Sequence, residues 1–372
     1  MSWLPLAGVR VVDFSMFVPG PFASSILADL GAEVIKVEPP RGDPGRAYVP
    51  VQFGTENRNK RSIALDLKKP GSSAIVERLM RNAEVVVEGF RPGVAKRLGI
   101  DYQKAKTVNP AIVYCSISGY GQTGPWRSRP GHDVNYVAAA GGLAFPGQWL
   151  KAPARSSLPI ADMAGGAFAA MAVVSSLFEK ERTGKGAHLD LSLFEAAFFM
   201  AAMRHGLDPQ VDPRAHLFPV NDVFETADGK RLTLGILEEH FWSNFAGLVP
   251  ELKQEHFSSD TKRRANGDVL SRVLQEIFLK RTADEWIRLL EENDVPVDLC
   301  VTPSEAAQHP QLVERQAAER GHAKFPLWAN GRRAGSIRRG TPGLGEHSRE
   351  VLVELGFEDS EISVLKRNGT VL

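Results

Sequence analysis

The sequence predicts an α/β protein with a parallel, doubly wound sheet and a smaller α+β domain. Three observations carry this. Short apolar strands alternate with helix-period segments through the first 206 residues, the βαβ rhythm that buries a parallel sheet between helices. A proline-bearing segment at 207–218 (LDPQVDPRAHLF) breaks periodicity and reads as a linker. After it a hairpin and a run of helices replace the alternation.

The elements follow in order. Residues 8–14 (GVRVVDF) form a strand, 21–31 (PFASSILADLG) a helix ending at Gly31, and 32–40 (AEVIKVEPP) a second strand, which completes one βαβ unit. The pattern repeats with strand 62–67, helix 70–82, strand 84–90, a helix near 92–98 and strand 111–119. Helix 162–182, strand 187–193 and a helix from about 193 to 206 close the first block. Beyond the linker, Asp228-Gly229 sits between two strand-like runs and marks a hairpin. Helices near 239–248, 266–279 and 282–293 precede strand 295–301. The tail 310–345, rich in Arg, Gly and Pro, is expected to return to the first domain, ahead of helices near 347–356 and 359–367. The expected organisation is a large domain at 1–206, a linker at 207–218, a small domain at 219–309 and a returning segment at 310–372.

Composition narrows the function. A chain of 372 residues with 43% apolar content has ample core for two domains. The net charge of +1 argues against bulk binding to nucleic acid or an anionic membrane. Cys115 and Cys300 are the only thiols, which suits a reducing, cytoplasmic compartment and no disulfide framework. The N-terminus lacks a signal-peptide pattern. The apolar stretch 163–177, broken by small residues, is expected to be a buried helix too short to span a bilayer.

The chemistry concentrates between Ser118 and Gly166. His132 follows a Pro-Gly turn and precedes an apolar run, and Asp162 opens a long helix of small residues. A His and an Asp facing one pocket suit proton removal on one side of a carbon and return on the other. Each also has a plain structural reading. His132 or its neighbour Asp133 could simply cap a helix, and Asp162 could complement a helix dipole. GYGQTG at 119–124 spells G-x-G-x-x-G but runs into Pro125-Trp126 instead of a helix. It is read as a flexible loop, not a nicotinamide site. The run 58–69 (RNKRSIALDLKK) carries five basic residues against Asp66. It is either a solvated face or a phosphate-binding face, joined by Lys36, Arg41, Arg91 and Arg97 at the ends of neighbouring strands.

Residues 6–46, LDLK at 65–68, RPGV at 91–94 and RTGKGAHLDLSLFEA at 182–196 together resemble the family III CoA-transferase superfamily. The resemblance is strong over residues 7–205, continues to about 310 and is weak beyond. It implies a Rossmann-like large domain, a small domain, an interlocked homodimer and a CoA-thioester substrate. Coenzyme A would arrive as part of that substrate, with no tightly bound cofactor and no metal. Asp162 stands where the superfamily's transferases have their nucleophile. GHDVNY at 131–136 and GILEEHFW at 235–242 match the alpha-methylacyl-CoA racemase branch, which puts His132, Asp162 and Glu238 in catalytic positions, with Glu239 adjacent to the last. Candidate CoA-binding residues are Lys36, Arg41, Asp66, Leu67, Lys68, Arg91, Arg97, Gly131, Asp133 and Tyr136.

The resemblance implies racemisation at the α-carbon of a 2-methylacyl-CoA by two-base proton transfer through an enolate. The enolate oxygen would sit on backbone amides at the start of the Asp162 helix, and Glu238 from a partner subunit would hold His132. The rival is CoA transfer through Asp162, and a third possibility is CoA binding without turnover. Two segments depart from the racemase pattern, GGLAFPGQWLKAPARSSLP at 141–159 and AHLFPVNDVFETADG at 215–229. They would shape the acyl pocket, with Phe145, Trp149 and Phe218 as apolar candidates.

Overall fold

The computed structural model describes residues 3–372. These form two compact units. The first comprises the chain up to Ala140, Ser156–Met200 and Pro310–Leu372, and the second Gly141–Arg155 and Ala201–His309. The segment 141–155, read from the sequence as part of the large domain, thus packs with the second unit.

The first unit is built on six parallel strands: β1 (Arg10–Asp13), β2 (Glu33–Glu38), β3 (Lys60–Ala64), β4 (Val85–Glu88), β5 (Val113–Ser118) and β6 (Ala187–Ser192). Their order is β3-β2-β1-β4-β5-β6. β1, β2, β4 and β5 are short and almost wholly buried, which is why they read as apolar runs, whereas β6 alternates between half-buried and exposed residues. Nine helices of this part of the chain are α1 (Pro19–Asp29), α2 (Gly45–Tyr48), α3 (Pro50–Glu56), α4 (Ser72–Arg81), α5 (Val94–Leu98), α6 (Tyr102–Val108), α7 (Asp133–Ala139), α8 (Ile160–Thr183) and α9 (Leu193–His205). Of these, α2, α3 and α6 were not anticipated.

One face of the sheet presents Val12, Ile35, Ile63, Val86 and Tyr114 to α4 and to Val351, Leu352, Ile362 and Leu365 from the C-terminal helices. On the other, α1 and α8 lie side by side. Their approach depends on Gly166, where a Cβ would come within 2.7 Å of the Pro19 carbonyl and 2.8 Å of the Phe22 ring. Helix α8 starts after Pro159 and ends at Gly184, whose φ of 69° stops it. It extends the expected 162–182 helix to 24 residues, and the expected burial is partial: 39% of its most apolar 18-residue window is buried, and by length and composition alone the helix is long and apolar enough to cross a bilayer. Met171, Val174 and Phe178 on α8, with Phe198, Phe199 and Met200 on α9, are exposed.

In the second unit, β7 (Asn221–Glu225) and β8 (Arg231–Gly235) form the expected antiparallel hairpin, with Gly229 at φ 72° in its turn. Then come α10 (Glu239–Leu248), α11 (Asp260–Ala265), α12 (Gly267–Phe278), α13 (Ala283–Glu291), β9 (Val297–Leu299), which pairs with β8, and α14 (Pro303–Ala306). Their core gathers Phe224, Leu234, Trp242, Phe245, Phe278 and Trp286. Segment 207–218 is tied into this unit: Arg214 pairs with Asp268 at 2.6 Å, and Arg264 donates to the Ala215 carbonyl at 2.7 Å. The chain returns to the first unit through α15 (Pro310–Glu314), four two-residue strands β10–β13 between Ala318 and Arg333, α16 (Ser348–Glu354) and α17 (Asp359–Arg367).

Candidate active site

Strand order reverses between β1 and β4, so the loops leaving their carboxyl ends diverge and open a crevice, the usual ligand position in such sheets. A cavity of about 310 Å³ lies there. Its walls are Met16–Pro19 after β1, Gly89–Pro92 after β4, Ile117–Gly119 at the end of β5, and Arg127, Arg129, Gly131, His132, Tyr136, Asp162 and Leu193. His132 and Asp162, thirty residues apart in sequence, therefore face one space.

Each is placed by local capping. His132 precedes the first residue of α7 in extended conformation, and Asn135 Oδ1 accepts its backbone N–H at 3.0 Å. Asp133, the first residue of α7, turns inward. Its Oδ1 accepts the Ala161 amide at 2.7 Å and lies 3.4 Å from the Asp162 amide, so one buried carboxylate ties the start of α8 to α7. This moves Asp133 from the candidate CoA contacts to a positioning role. It also occupies the Ala161 N–H and holds the Asp162 N–H only weakly.

Burial pushes the Asp162 carboxyl up to about 7, and the nearby Asp133 charge adds to the effect. Tyr136 packs its ring where Cβ atoms on Gly119 or Gly131 would stand, at 2.4 Å and 2.7 Å, and its hydroxyl donates to the Gly131 carbonyl at 2.5 Å. The turn before His132 thus rests on Tyr136. Burial, with Asp162 and Tyr120 nearby, pushes the Tyr136 hydroxyl up to about 12, so it stays a donor.

Several candidates lie elsewhere. Lys36 cannot reach a CoA phosphate. It is fully buried, pairs with Asp43 at 2.9 Å and donates to the Ser15 carbonyl at 3.0 Å. Asp43 in turn accepts the Phe17 amide at 3.2 Å, holding that residue at φ 62° on the cavity wall. Lys36 is scaffold for the site. Most of the basic run is also buried scaffold: Lys60 pairs with Asp13, Arg58 with Asp29, and Arg61 with Glu350 and Glu354. Its far end is different. Asp66, Leu67 and Lys68 line a second cavity of about 150 Å³ with Phe14, Met16, Val37, Pro39, Phe90 and Leu98. Exposed Lys68 stands in that lining, and Arg97 is exposed on α5 beside Leu98. Arg41 is exposed after β2 and lines neither cavity.

Glu238 and Glu239 are told apart in the second unit. Arg263 grips Glu239 with two bonds, at 3.1 and 2.5 Å, while no hydrogen bond or ion pair among the described residues engages the exposed Glu238 carboxylate. Phe145, Trp149 and Phe218 belong to this unit too. Phe145 stacks on His205, and Trp149 donates to Asp268 at 2.9 Å. Sequence reasoning missed Arg127, Arg129 and Ser118 in the cavity that His132 and Asp162 line. Ser118 Oγ is buried and without a hydrogen-bond partner. No group of three or more His, Cys, Asp or Glu among the described residues comes together as a metal site.

Comparison with known proteins gives the family. The model of CoA-transferase family III matches residues 6–348. This chain belongs to CoA-transferase family III. A relative, the acetyl-CoA:oxalate CoA-transferase of Acetobacter aceti, is 35% identical over 331 residues, covering 84% of this chain and 84% of that protein. Human alpha-methylacyl-CoA racemase is 30% identical over 377 residues, covering 96% and 95%. The crystal structure of a CaiB/BaiF family protein from Brucella suis superposes with a TM-score of 0.83 at 28% identity, covering 94% of this chain and 99% of that one. Membership in family III makes the chain an enzyme family member with CoA-linked substrates. Both racemases and transferases stand at about this identity, so the choice of reaction falls to the site.

Proposed function

We propose that the protein is an acyl-CoA racemase or epimerase acting at the α-carbon of a 2-methylacyl-CoA. The observation that carries this is the convergence of His132 and Asp162 on one cavity, with the Asp162 carboxyl raised to about 7. A two-base exchange needs one group free to take a proton while the other holds one to give. Neutral His132 removes the α-proton and leaves an enolate. Protonated Asp162 delivers its proton to the opposite face, and the product has the inverted centre. The reverse direction swaps the roles. The Asp162 amide is the proposed donor to the enolate oxygen, and such donors are each worth about 3–4 kcal/mol of barrier. CoA would lay its nucleotide end toward Asp66, Leu67, Lys68 and Arg97, with Arg91, Gly131 and Tyr136 nearer the thioester.

Transfer of CoA would use the same Asp162 as nucleophile: its carboxylate attacks the thioester carbonyl, CoA thiolate leaves and an acyl-aspartyl anhydride forms. The two reactions separate in deuterated water without an acceptor acid. The racemase reading expects α-deuteration of the acyl-CoA, and His132→Ala to slow exchange on one face by at least about a hundredfold. CoA transfer to an added acid, retained in His132→Ala and unaccompanied by α-deuteration, would replace it.

The assembly belongs to the same reading. The exposed apolar residues of α8 and α9 suit burial against a second copy in an interlocked homodimer, with an interface above about 2,000 Å². Glu238, unpaired in its own unit, is the proposed partner of His132 in such a dimer. A monodisperse, active monomer in light scattering would refute it.

A further inference from the structure

We infer that the acyl group handled in the catalytic cavity carries a second carboxylate, held by Arg127 and Arg129. The inference rests on reading this cavity as the acyl site and names what the acyl chain bears. Its basis is a charge imbalance. The cavity is lined by three guanidinium groups, Arg91, Arg127 and Arg129, and no acidic side chain among the described residues pairs with any of them. The one carboxyl on the lining is Asp162.

Arg129 is also pre-positioned. Tyr120, Trp126, Tyr136 and Phe194 form an aromatic cluster, with Tyr120 edge-on to Trp126 at 5.3 Å and to Tyr136 at 5.2 Å. The Arg129 guanidinium lies over the Trp126 ring at 4.3 Å and 5.8 Å from that of Tyr120. A guanidinium that stacks through its face keeps the N–H fork on its edge, and that fork matches a carboxylate bidentately. Arg127 enters the lining from the same loop, two residues away. The loop that spells G-x-G-x-x-G is thus an aromatic-braced mount for cations. Both guanidinium groups are exposed, so a neutral alkyl chain would leave them to water, whereas a terminal carboxylate would give them an ionic partner.

The phosphates of CoA are a second source of negative charge, and the experiment separates the two. Titration calorimetry on the full chain compares 2-methylglutaryl-CoA with 2-methylpentanoyl-CoA, which match in length and differ in the terminal carboxylate. The carboxylated ester is expected to bind at least about tenfold tighter. Arg127→Gln combined with Arg129→Gln should bring that ratio to within about twofold of one. The same acyl groups on pantetheine, which lacks every CoA phosphate, should preserve the wild-type preference. Equal affinity of wild type for the two CoA esters overturns the inference, whatever the variant's folding. So does a double variant that weakens both CoA esters alike and neither pantetheine ester, since the arginines would then hold phosphate. α-Deuteration followed in parallel reports on the racemase reading alone: a preference for the carboxylated ester without deuteration breaks that reading and keeps the anion subsite.

Discussion

Asp13 and Asp162 are aspartates of the same unit, both withdrawn from water, and they sit at opposite ends of the carboxylate range. Burial alone would push Asp13 up, but Lys60 and Lys36 beside it, with the hydroxyls of Ser15 and Ser24, outweigh burial and hold it at about 2. Nothing cationic offsets burial at Asp162, and the Asp133 charge adds to it, so the carboxyl rises to about 7. Glu88 follows Asp162. Buried at the end of β4, with Asp190 nearby, it rises to about 7 while accepting the Phe90 amide at 2.8 Å beneath the cavity loop. Asp13 is matched by cations and hydroxyls, whereas at Asp162 and Glu88 burial wins. Such displaced values are what two-way proton transfer near neutrality needs.

The strongest way to break this contrast is to remove a cation from the scaffold. Lys60 Nζ donates to Asp13 at 3.2 Å, the Pro21 carbonyl at 3.0 Å, Ser24 at 2.8 Å and Asn57 at 2.9 Å. Lys60→Met is expected to destabilise the protein by about 3–5 kcal/mol, because it strands Asp13 without its partner. Asp13→Asn added to Lys60→Met should cost less than the two separate changes summed, which a denaturation cycle would read. Additive effects would mean that the pair is not coupled, and the scaffold account would fail.

This scaffold is also where the sequence misleads most. RNKR at 58–61 looks like a ligand face because charge runs are normally solvated. The acids that neutralise Lys60 and Arg61 lie 47 and about 290 residues away, and no local pattern announces them. The sheet was far more legible. β1, β2, β4 and β5 are buried strands with Val/Ile runs, and the hairpin at Asp228-Gly229 has its own turn chemistry. α2, α3 and α6 were missed because each is seven residues or shorter, below the length at which periodicity shows. His132 and Asp162 were legible as motif positions. Asp133 was legible as a helix cap or CoA contact beside His132, but its grip on α8 is a long-range contact. Glu238 and Glu239 are indistinguishable by spacing, and Arg263 separates them. Arg127 and Arg129 carried no spacing signal, since only the fold brings their loop to the cavity.

The next effect is a gain in stability at the site. The folded-state pKa of Asp162 lies above its unfolded value of 3.8, at about 7. Its proton therefore favours the folded state fully below the unfolded value, and that contribution is lost as pH rises through about 7. Asp162→Asn carries no such loss. The variant should match wild type near pH 4 and be more stable at pH 8 by about 2–4 kcal/mol, with a difference in melting temperature that grows between. α-Exchange should fall at the same time. An Asn variant less stable than wild type at every pH would place Asp162 with Asp13, as a matched structural charge.

The smallest effect tests the boundary inside the basic run. Arg61 is scaffold on the present account, bonded to Glu350 at 2.8 Å and Glu354 at 2.6 Å, whereas Lys68 is exposed in the lining of the second cavity. Burial of the apolar walls suits a flat heterocycle, and a lysine beside them suits a phosphate as a mobile point charge. Exposure limits what that charge contributes to about 1 kcal/mol, or roughly a fivefold change in affinity. Lys68→Ala should therefore weaken a CoA ester about fivefold in a competition assay and change dephospho-CoA ester affinity less. Arg97→Ala should act in the same sense. Arg61→Ala should reverse the pattern, lowering the melting temperature with CoA-ester affinity retained. If Lys68→Ala and Arg97→Ala both leave affinity for the CoA ester untouched, the far end of the run is a solvated face and the second cavity is not the nucleotide site. If Arg61→Ala weakens binding in step with Lys68→Ala, the division of this run into scaffold and contact is wrong.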